Sequence, residues 1–162
     1  MFREMRRKKQ VLSKLESEEV LEKGTAGVFA VHGDNGYPYA VPISYVYHDE
    51  KLYMHSAKSG HKIDAIMKDD KVSFTVIDKD EIIPKEFTTY FRSVICFGKA
   101  RIIEDRDEKI ESLKILTRKY SPNMEDEMNK EIEGALNHLE MIVIDIEHMS
   151  GKEAMELVKR KI

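Results

Sequence analysis

The alternation of apolar and polar positions changes period several times along the chain, and each change marks an element. Val11, Leu12, Leu15, Val20 and Leu21 predict a first helix over residues 11–22 with one buried stripe, capped in part by Ser13 or Ser17 and stopped at Gly24. Gly27-Val28-Phe29-Ala30-Val31 reads as a buried strand. Asp34-Asn35-Gly36 reads as a hairpin turn, because Asn-Gly tolerates positive φ at both central positions. Tyr37–Tyr47 is a second strand. Its Pro38 and Pro42 cannot donate ladder hydrogen bonds, so they imply an edge, a bulge or a neighbour that is not a strand. Leu52–Ser56 is a third strand, Ile63–Lys68 a short helix and Val72–Ile77 a fourth strand.

A charged loop with Pro84 leads into a long β-rich stretch, Thr88–Glu104, in which Gly98 suggests a bulge or a close approach. Ile110, Leu113, Leu116 and Tyr120 set a helix over residues 107–119. Ser121-Pro122-Asn123 breaks it, with Asn123 as the cap of a second helix ending near His138. Met141–Ile146 is a last strand, and Gly151 precedes a basic helical tail. The expected class is therefore mainly β with appended helices: a small barrel of about six strands in one domain. Within residues 1–162 the arm and first helix take 1–23. The barrel strands take 24–104 with the short helix at 61–69, the two helices 105–139, the last strand 140–150 and the tail 151–162. The βαβα alternation of a dinucleotide fold is missing, as are GxGxxG and GxxxxGK[ST].

Composition narrows the function. The chain has 162 residues, 41% apolar and 35% charged, as in soluble globular proteins. No apolar stretch approaches a membrane span. Met1–Lys9 has no apolar core of a secretory signal. The single cysteine, Cys96, excludes an internal disulfide and a multi-cysteine metal site, and mid-strand it reads as a buried, inert thiol. A cytoplasmic protein that meets neither membrane nor nucleic acid is expected, the latter because net charge is −3 and the pI about 6.1. The basic arm Arg3–Lys9 reads as a solvated, partly frayed terminus. Asp145 and Glu147 share a strand face that His148 does not, so no metal site is expected. Tyr37, Tyr39, Tyr45 and Tyr47 recur at period two and read as packing residues.

The densest chemistry lies in His55-Ser56-Ala57-Lys58-Ser59-Gly60-His61-Lys62, at a strand-to-helix junction. Such a junction offers unpaired N–H groups and a positive helix pole, and anions bind there readily. The competing reading is an ordinary polar loop that starts a helix. His55, on the opposite strand face from Met54, reads as a core histidine, a ligand contact or a proton donor.

Three stretches resemble the nitroimidazole-resistance (Nim) family: Tyr39–Tyr47 followed by Leu52–Lys62, Phe87–Tyr90 running into Ser93–Ala100, and Ile144–Lys152. That family belongs to the pyridoxamine 5′-phosphate oxidase-like, FMN-binding split-barrel superfamily. The resemblance implies a six-stranded Greek-key split barrel and a homodimer with FMN at the subunit interface. It implies that Ser56 and Lys62, with His61 beside them, hold the FMN phosphate. Ala57, Lys58 and Gly60 complete that loop. Val41-Pro42-Ile43-Ser44 line the isoalloxazine, Ser93 and Val94 reach it from the second subunit, and His55 is catalytic. The oxidase's C-terminal arginine motif is missing, and Val41-Pro42 stand where it carries an arginine. Oxidation of pyridoxamine phosphate is therefore not expected. The reaction implied is reduction of a small acceptor such as a nitroaromatic. Non-catalytic flavin or haem binding, with His55, His61 or His148 as an axial ligand, and F420-dependent reduction on the same fold are the alternatives.

Overall fold

The computed structural model describes residues 1–161. Its core is one antiparallel sheet of seven strands in the order β2-β1-β5-β6-β7-β4-β3. They are β1 (Ala26–His32), β2 (Pro38–Ser44), β3 (Val46–His48), β4 (Lys51–Ala57), β5 (Lys71–Ile83), β6 (Thr88–Ile102) and β7 (Leu139–Glu153). The helices are α1 (Lys14–Lys23), α2 (His61–Lys68), α3 (Arg106–Tyr120), α4 (Glu125–Ala135) and α5 (Met155–Lys159). The edge strands β2 and β3 are separated in sequence by Tyr45 alone, so the two edges of the sheet must meet there. The sheet is thus curled into a barrel, consistent with a split barrel, and the expected single strand Tyr37–Tyr47 is broken in two.

Alternation gives the barrel its filling. Phe29, Met54, Phe74, Val76, Val94, Cys96, Ile142 and Ile144 face inward and are fully buried. The opposite face of β3, β4 and β7 carries Val46, Tyr53, Met141 and Val143, which Leu113 and Leu116 of α3 and Met128 and Ile132 of α4 cover. β4 is therefore buried on both faces along most of its length. Burying each such side chain stabilises by about 1.5–3 kcal/mol.

Local chemistry explains the element ends. α1 begins at Lys14 because Ser13 forms a capping box: the Glu16 N–H donates to Ser13 Oγ (3.2 Å) and the Ser13 N–H to Glu16 Oε2 (2.8 Å), worth about 1 kcal/mol. Val11 and Leu12, expected in that helix, instead run along β7, with Val11 bridged to Lys152 and the Leu12 N–H donating to Gly151 O (2.9 Å). Asn35 (φ 57°) and Gly36 (φ 77°) make the expected turn between β1 and β2. The prolines of β2 do mark an edge. At Gly98 the β6–β7 register shifts, and an added Cβ would lie 2.2 Å from the Asp145 carbonyl oxygen.

Three expectations change. Asn123 is left-handed (φ 62°) and does not cap α4, which starts from Met124 without a side-chain bond. The last strand runs on to Glu153, and Gly151 lies within it against Ser17 and Leu12. The N-terminal arm is solvated at Arg3, Glu4 and Arg6–Lys9 but is not loose at its tip, where the Phe2 ring stacks on His148 (centroids 4.8 Å apart) and tilts against Phe97 (5.6 Å). At the far end of β7, buried Glu153 accepts from Arg92 Nη2 (2.9 Å) and Lys161 (2.5 Å), and Lys161 also reaches Glu16 (2.5 Å). This network ties α1, β6 and the tail together.

Among the described residues no helix is long and apolar enough to cross a membrane.

Candidate functional site: the β4–α2 junction and the cavity under α3

β4 divides the candidate residues by alternation. Ser56 shares the inward face with Met54 and is 8% exposed, whereas His55 faces outward and is exposed. The chain then turns through exposed Ala57, Lys58 and Ser59 to Gly60, which N-caps α2 at φ 140° and ψ 177°. Side chains rarely adopt that φ, so glycine is required here by backbone shape.

The start of α2 differs from those of α1 and α3. Ser13 and Asp105 cap those helices, but Gly60 offers no side chain, so the N–H groups of the first turn of α2 have no side-chain cap. They and the helix pole face the loop. Lys62 is half-buried in this turn, and among the described residues neither it nor Lys58 has a carboxylate partner, while Lys68 pairs with Asp34 (3.5 Å). The His61 ring stacks on Tyr39 (4.1 Å), and its Nε2 lies 3.8 Å from Asp34 Oδ2, buried and without a hydrogen bond. That side chain faces the β1–β2 turn, so its backbone N–H is what it presents at the helix start.

On β2, alternation sorts Val41-Pro42-Ile43-Ser44. Val41 and Ile43 are half-buried against the core, while Pro42 and Ser44 point outward along the free edge of the sheet. The latter two side chains are the exposed ones. Val94 does not fit its expected role: it is fully buried in the barrel core on an interior strand, because alternation turns it away from Ser93 and Ile95. Ser93 faces outward but sits opposite Lys152, whereas His55 sits opposite Met141. These positions are roughly 35 Å apart along β7 at about 3.3 Å per residue. One protomer therefore does not bring Ser93 to the loop.

His55 and Ser44 do come together. With Leu139 they floor a cavity of about 320 Å³ whose wall is the last two turns of α3: Leu113, Leu116, Thr117 and Tyr120, with Ser121 at the rim. Sequence spacing did not reveal this wall. Tyr120, expected as an apolar-stripe residue, fastens α3 to the strand break. Its hydroxyl accepts from the Tyr45 N–H (3.0 Å) and lies within bonding distance of the carbonyls of Tyr45 (2.7 Å) and Thr25 (2.5 Å). Lys119 donates to the Gly24 carbonyl and lies over the Tyr45 ring (4.5 Å). Burial holds its ammonium below the usual range. Burial likewise raises the Tyr45 phenol, whose hydroxyl donates to Leu21 O (2.6 Å). A larger cavity, about 580 Å³, lies between Met1, Phe2 and the outer face of β1, β5 and β6, and holds none of the expected side chains.

An antiparallel split barrel with an uncapped helix start beside a free strand edge defines the class. The family described as pyridoxamine 5′-phosphate oxidase matches residues 13–153, and the chain belongs to it. No curated protein matches the chain. Among solved structures, a Bacteroides thetaiotaomicron protein described as a candidate 5-nitroimidazole antibiotic resistance protein is 25% identical. The match covers 88% of this chain and 86% of that one, with a TM-score of 0.75. A Mesorhizobium loti FAD-binding protein is 27% identical over 90% of this chain and 97% of that one, with a TM-score of 0.63. A Mycobacterium smegmatis protein described as binding FAD and haem is 21% identical over 91% and 74%, with a TM-score of 0.77, and shares the fold.

Proposed function

We propose that this protein is a homodimeric flavoprotein that holds FMN at the β4–α2 junction and serves the reduction of a small acceptor such as a nitroaromatic. The observation that carries this reading is the uncapped start of α2, with Lys62 beside it, unpaired among the described residues, and Ser56 near the end of β4. Free N–H groups, a point charge and a hydroxyl are the donor set a phosphate monoester needs. The donors fit the group, and His61, whose ring is held against Tyr39 at the β1–β2 turn, adds its backbone N–H to them.

A bound flavin supplies two-electron chemistry that no side chain here can perform. The chain's own residues have separate tasks. Lys62, Ser56 and the first N–H groups of α2 bind the phosphate, with Lys58 at the rim. Pro42 and Ser44 border the flavin along the free edge of β2. His55 carries a proton at its imidazole, facing the cavity under α3.

The dimer reading rests on the outer face of β2, β1, β5 and β6. Paired positions form rows that continue across the strands: Pro42, Val28, Thr75, Ile95 in one and Ala40, Ala30, Ser73, Phe97 in the next. Neither row carries a charge, and the face runs to the β2 edge beside Ser44. A second copy packed there is the route by which its Ser93 could reach the flavin. FAD and nitroimidazole resistance in the descriptions of relatives at 27% and 25% identity point the same way.

The test is the visible spectrum of the purified protein after FMN or FAD is added and the excess removed by desalting. Retained flavin bands are expected, and Lys62→Ala should weaken FMN binding by about 1.5–3 kcal/mol, the worth of a charge-assisted hydrogen bond. A protein that retains neither flavin overturns the reading, and a haem or F420 spectrum would replace it.

A further inference from the structure

We infer that the cavity under α3 is a binding site for a small, uncharged molecule, and that it discriminates against anions. The inference rests on the flavin reading only in making that molecule the second substrate.

Three observations carry it. First, among the described residues no lysine or arginine lines the cavity. Lys114, Arg118 and Lys119 adjoin lining residues in sequence but do not line the cavity; Arg118 pairs with Glu125 (2.8 Å), and Lys119 is engaged by the Gly24 carbonyl and the Tyr45 ring. A carboxylate or phosphate entering would give up water against the leucines and meet no permanent cation, only the His55 imidazole, and a poorly paired charge in a partly buried site is disfavoured.

Second, the wall is the C-terminal end of α3, which runs 15 residues. Carbonyl groups and the negative pole of the helix lie at that end. The Ser121 N–H satisfies the Thr117 carbonyl (2.8 Å); the remaining carbonyls of the last turn oppose an anion, offset in part by Arg118 and Lys119 on the same turn. The polarity is the reverse of that at the start of α2. The two helix ends thus sort ligand parts by charge, phosphate to one and a neutral body to the other.

Third, the lining offers what a flat neutral molecule needs. Leu113, Leu116 and Leu139 grip an apolar ring, while Ser44, Ser121 and His55 supply donors and acceptors for one or two polar substituents. The Thr117 hydroxyl spends its proton on Leu113 O (2.7 Å), so toward the cavity it can only accept. A volume near 320 Å³ holds a substituted single ring.

The experiment uses two probes of one shape and different charge, 4-nitrobenzyl alcohol and 4-nitrobenzoate. Their affinities are read by saturation-transfer NMR on the full-length protein, first without flavin and then with FMN. The alcohol is expected to bind, and the benzoate about tenfold more weakly or worse. Leu116→Phe should abolish alcohol binding by filling the cavity. Ser121→Phe, at the half-exposed rim, serves the same purpose if the first variant does not fold. Ser121→Lys should restore benzoate binding by adding the missing cation. Equal affinity for the two probes, or alcohol binding indifferent to both filling variants, would overturn the inference. Displacement of the alcohol by FMN would overturn it too, by giving the cavity to the flavin ring. Failure to retain flavin is seen separately in the absorption spectrum and leaves the probe result readable.

Discussion

Removing the hydroxyl of Tyr120 should destabilise this protein far more than its position at the end of a helix suggests. Tyr45 is fully buried and lies between β2 and β3, outside both strand registers, so no ladder partner serves its backbone. The Tyr120 hydroxyl takes that place on both sides, accepting from the N–H (3.0 Å) and approaching the C=O (2.7 Å). Tyr120→Phe keeps the ring and removes only those bonds. The Thr25 carbonyl belongs to an exposed residue and recovers a water, so it adds no cost. An orphaned buried backbone group costs about 1–3 kcal/mol. Because Tyr120 itself is 40% exposed, water partly reaches the site, and about 1–2 kcal/mol is the expected net loss. Urea denaturation at fixed protein concentration should show an earlier midpoint with an unchanged slope. Hydrogen exchange at the Tyr45 amide should speed up alongside. Tyr37→Phe, on a side chain 75% exposed, is the control and should stay within about 0.5 kcal/mol of the parent. A Tyr120→Phe protein equally close to the parent, with the Tyr45 amide still protected, would refute the reasoning.

Other outcomes follow from single contacts. Cys96 is fully buried and its thiol is pushed up to about 12 by desolvation; it should be inert to a disulfide reagent at pH 8 in the folded protein and react once urea unfolds it, and rapid labelling of the native state would contradict this burial. The Lys161 ammonium, with help from the Ser13 N–H, holds the Glu16 carboxyl down at about 2, against an ordinary 4.5. A lowered folded value means that Glu16 stabilises above pH 4.5 and that this contribution fades as pH falls toward 2. Glu16→Gln should therefore flatten the stability-versus-pH curve across that window, and parallel curves would remove Glu16 from the network. Gly60→Ala meets no atom within 4 Å but must hold φ at 140°, so a loss of about 1–3 kcal/mol is expected from backbone strain alone; thermal melting at parent values would show that the loop adopts another shape.

The sequence carried much of this architecture where a residue type forces a backbone choice. Asn35-Gly36 marked the β1–β2 turn, Pro38 and Pro42 the sheet edge, and Gly98 the close approach of β6 to β7. Ser13-Lys14-Leu15-Glu16 also spelled a capping box, which would have started α1 at Lys14 and freed Val11 and Leu12 for β7. The continuation of β7 through Glu147–Glu153 was hidden, because this stretch lacks alternation and is held by pairing with β6. Val94 shows where resemblance to a family needs reading against periodicity: alternation along β6 buries that side chain and turns Ser93, half-buried, outward. The cavity wall was the least legible part. Tyr120 has a helical-stripe spacing, and its hydroxyl finds Tyr45 across a sequence separation of 75 residues, which no local pattern encodes.

The division of labour at this site depends on the register of β4. Its residues 51–57 pair with 145–139 of β7, and 51–53 with 48–46 of β3, so the strand is held from both sides. Successive side chains point to opposite faces, and a slip by one residue would exchange every one of them. His55 would then enter the barrel core and Ser56 would face α3, which takes the imidazole from the cavity and, on the phosphate reading proposed above, the hydroxyl from the β4–α2 junction. Leu52 and Met54, both fully buried inside the barrel, and Tyr53, buried under α3, oppose that slip from both faces. The packing of the strand is therefore what keeps Ser56 on the inward face and turns its neighbour His55 toward the cavity under α3.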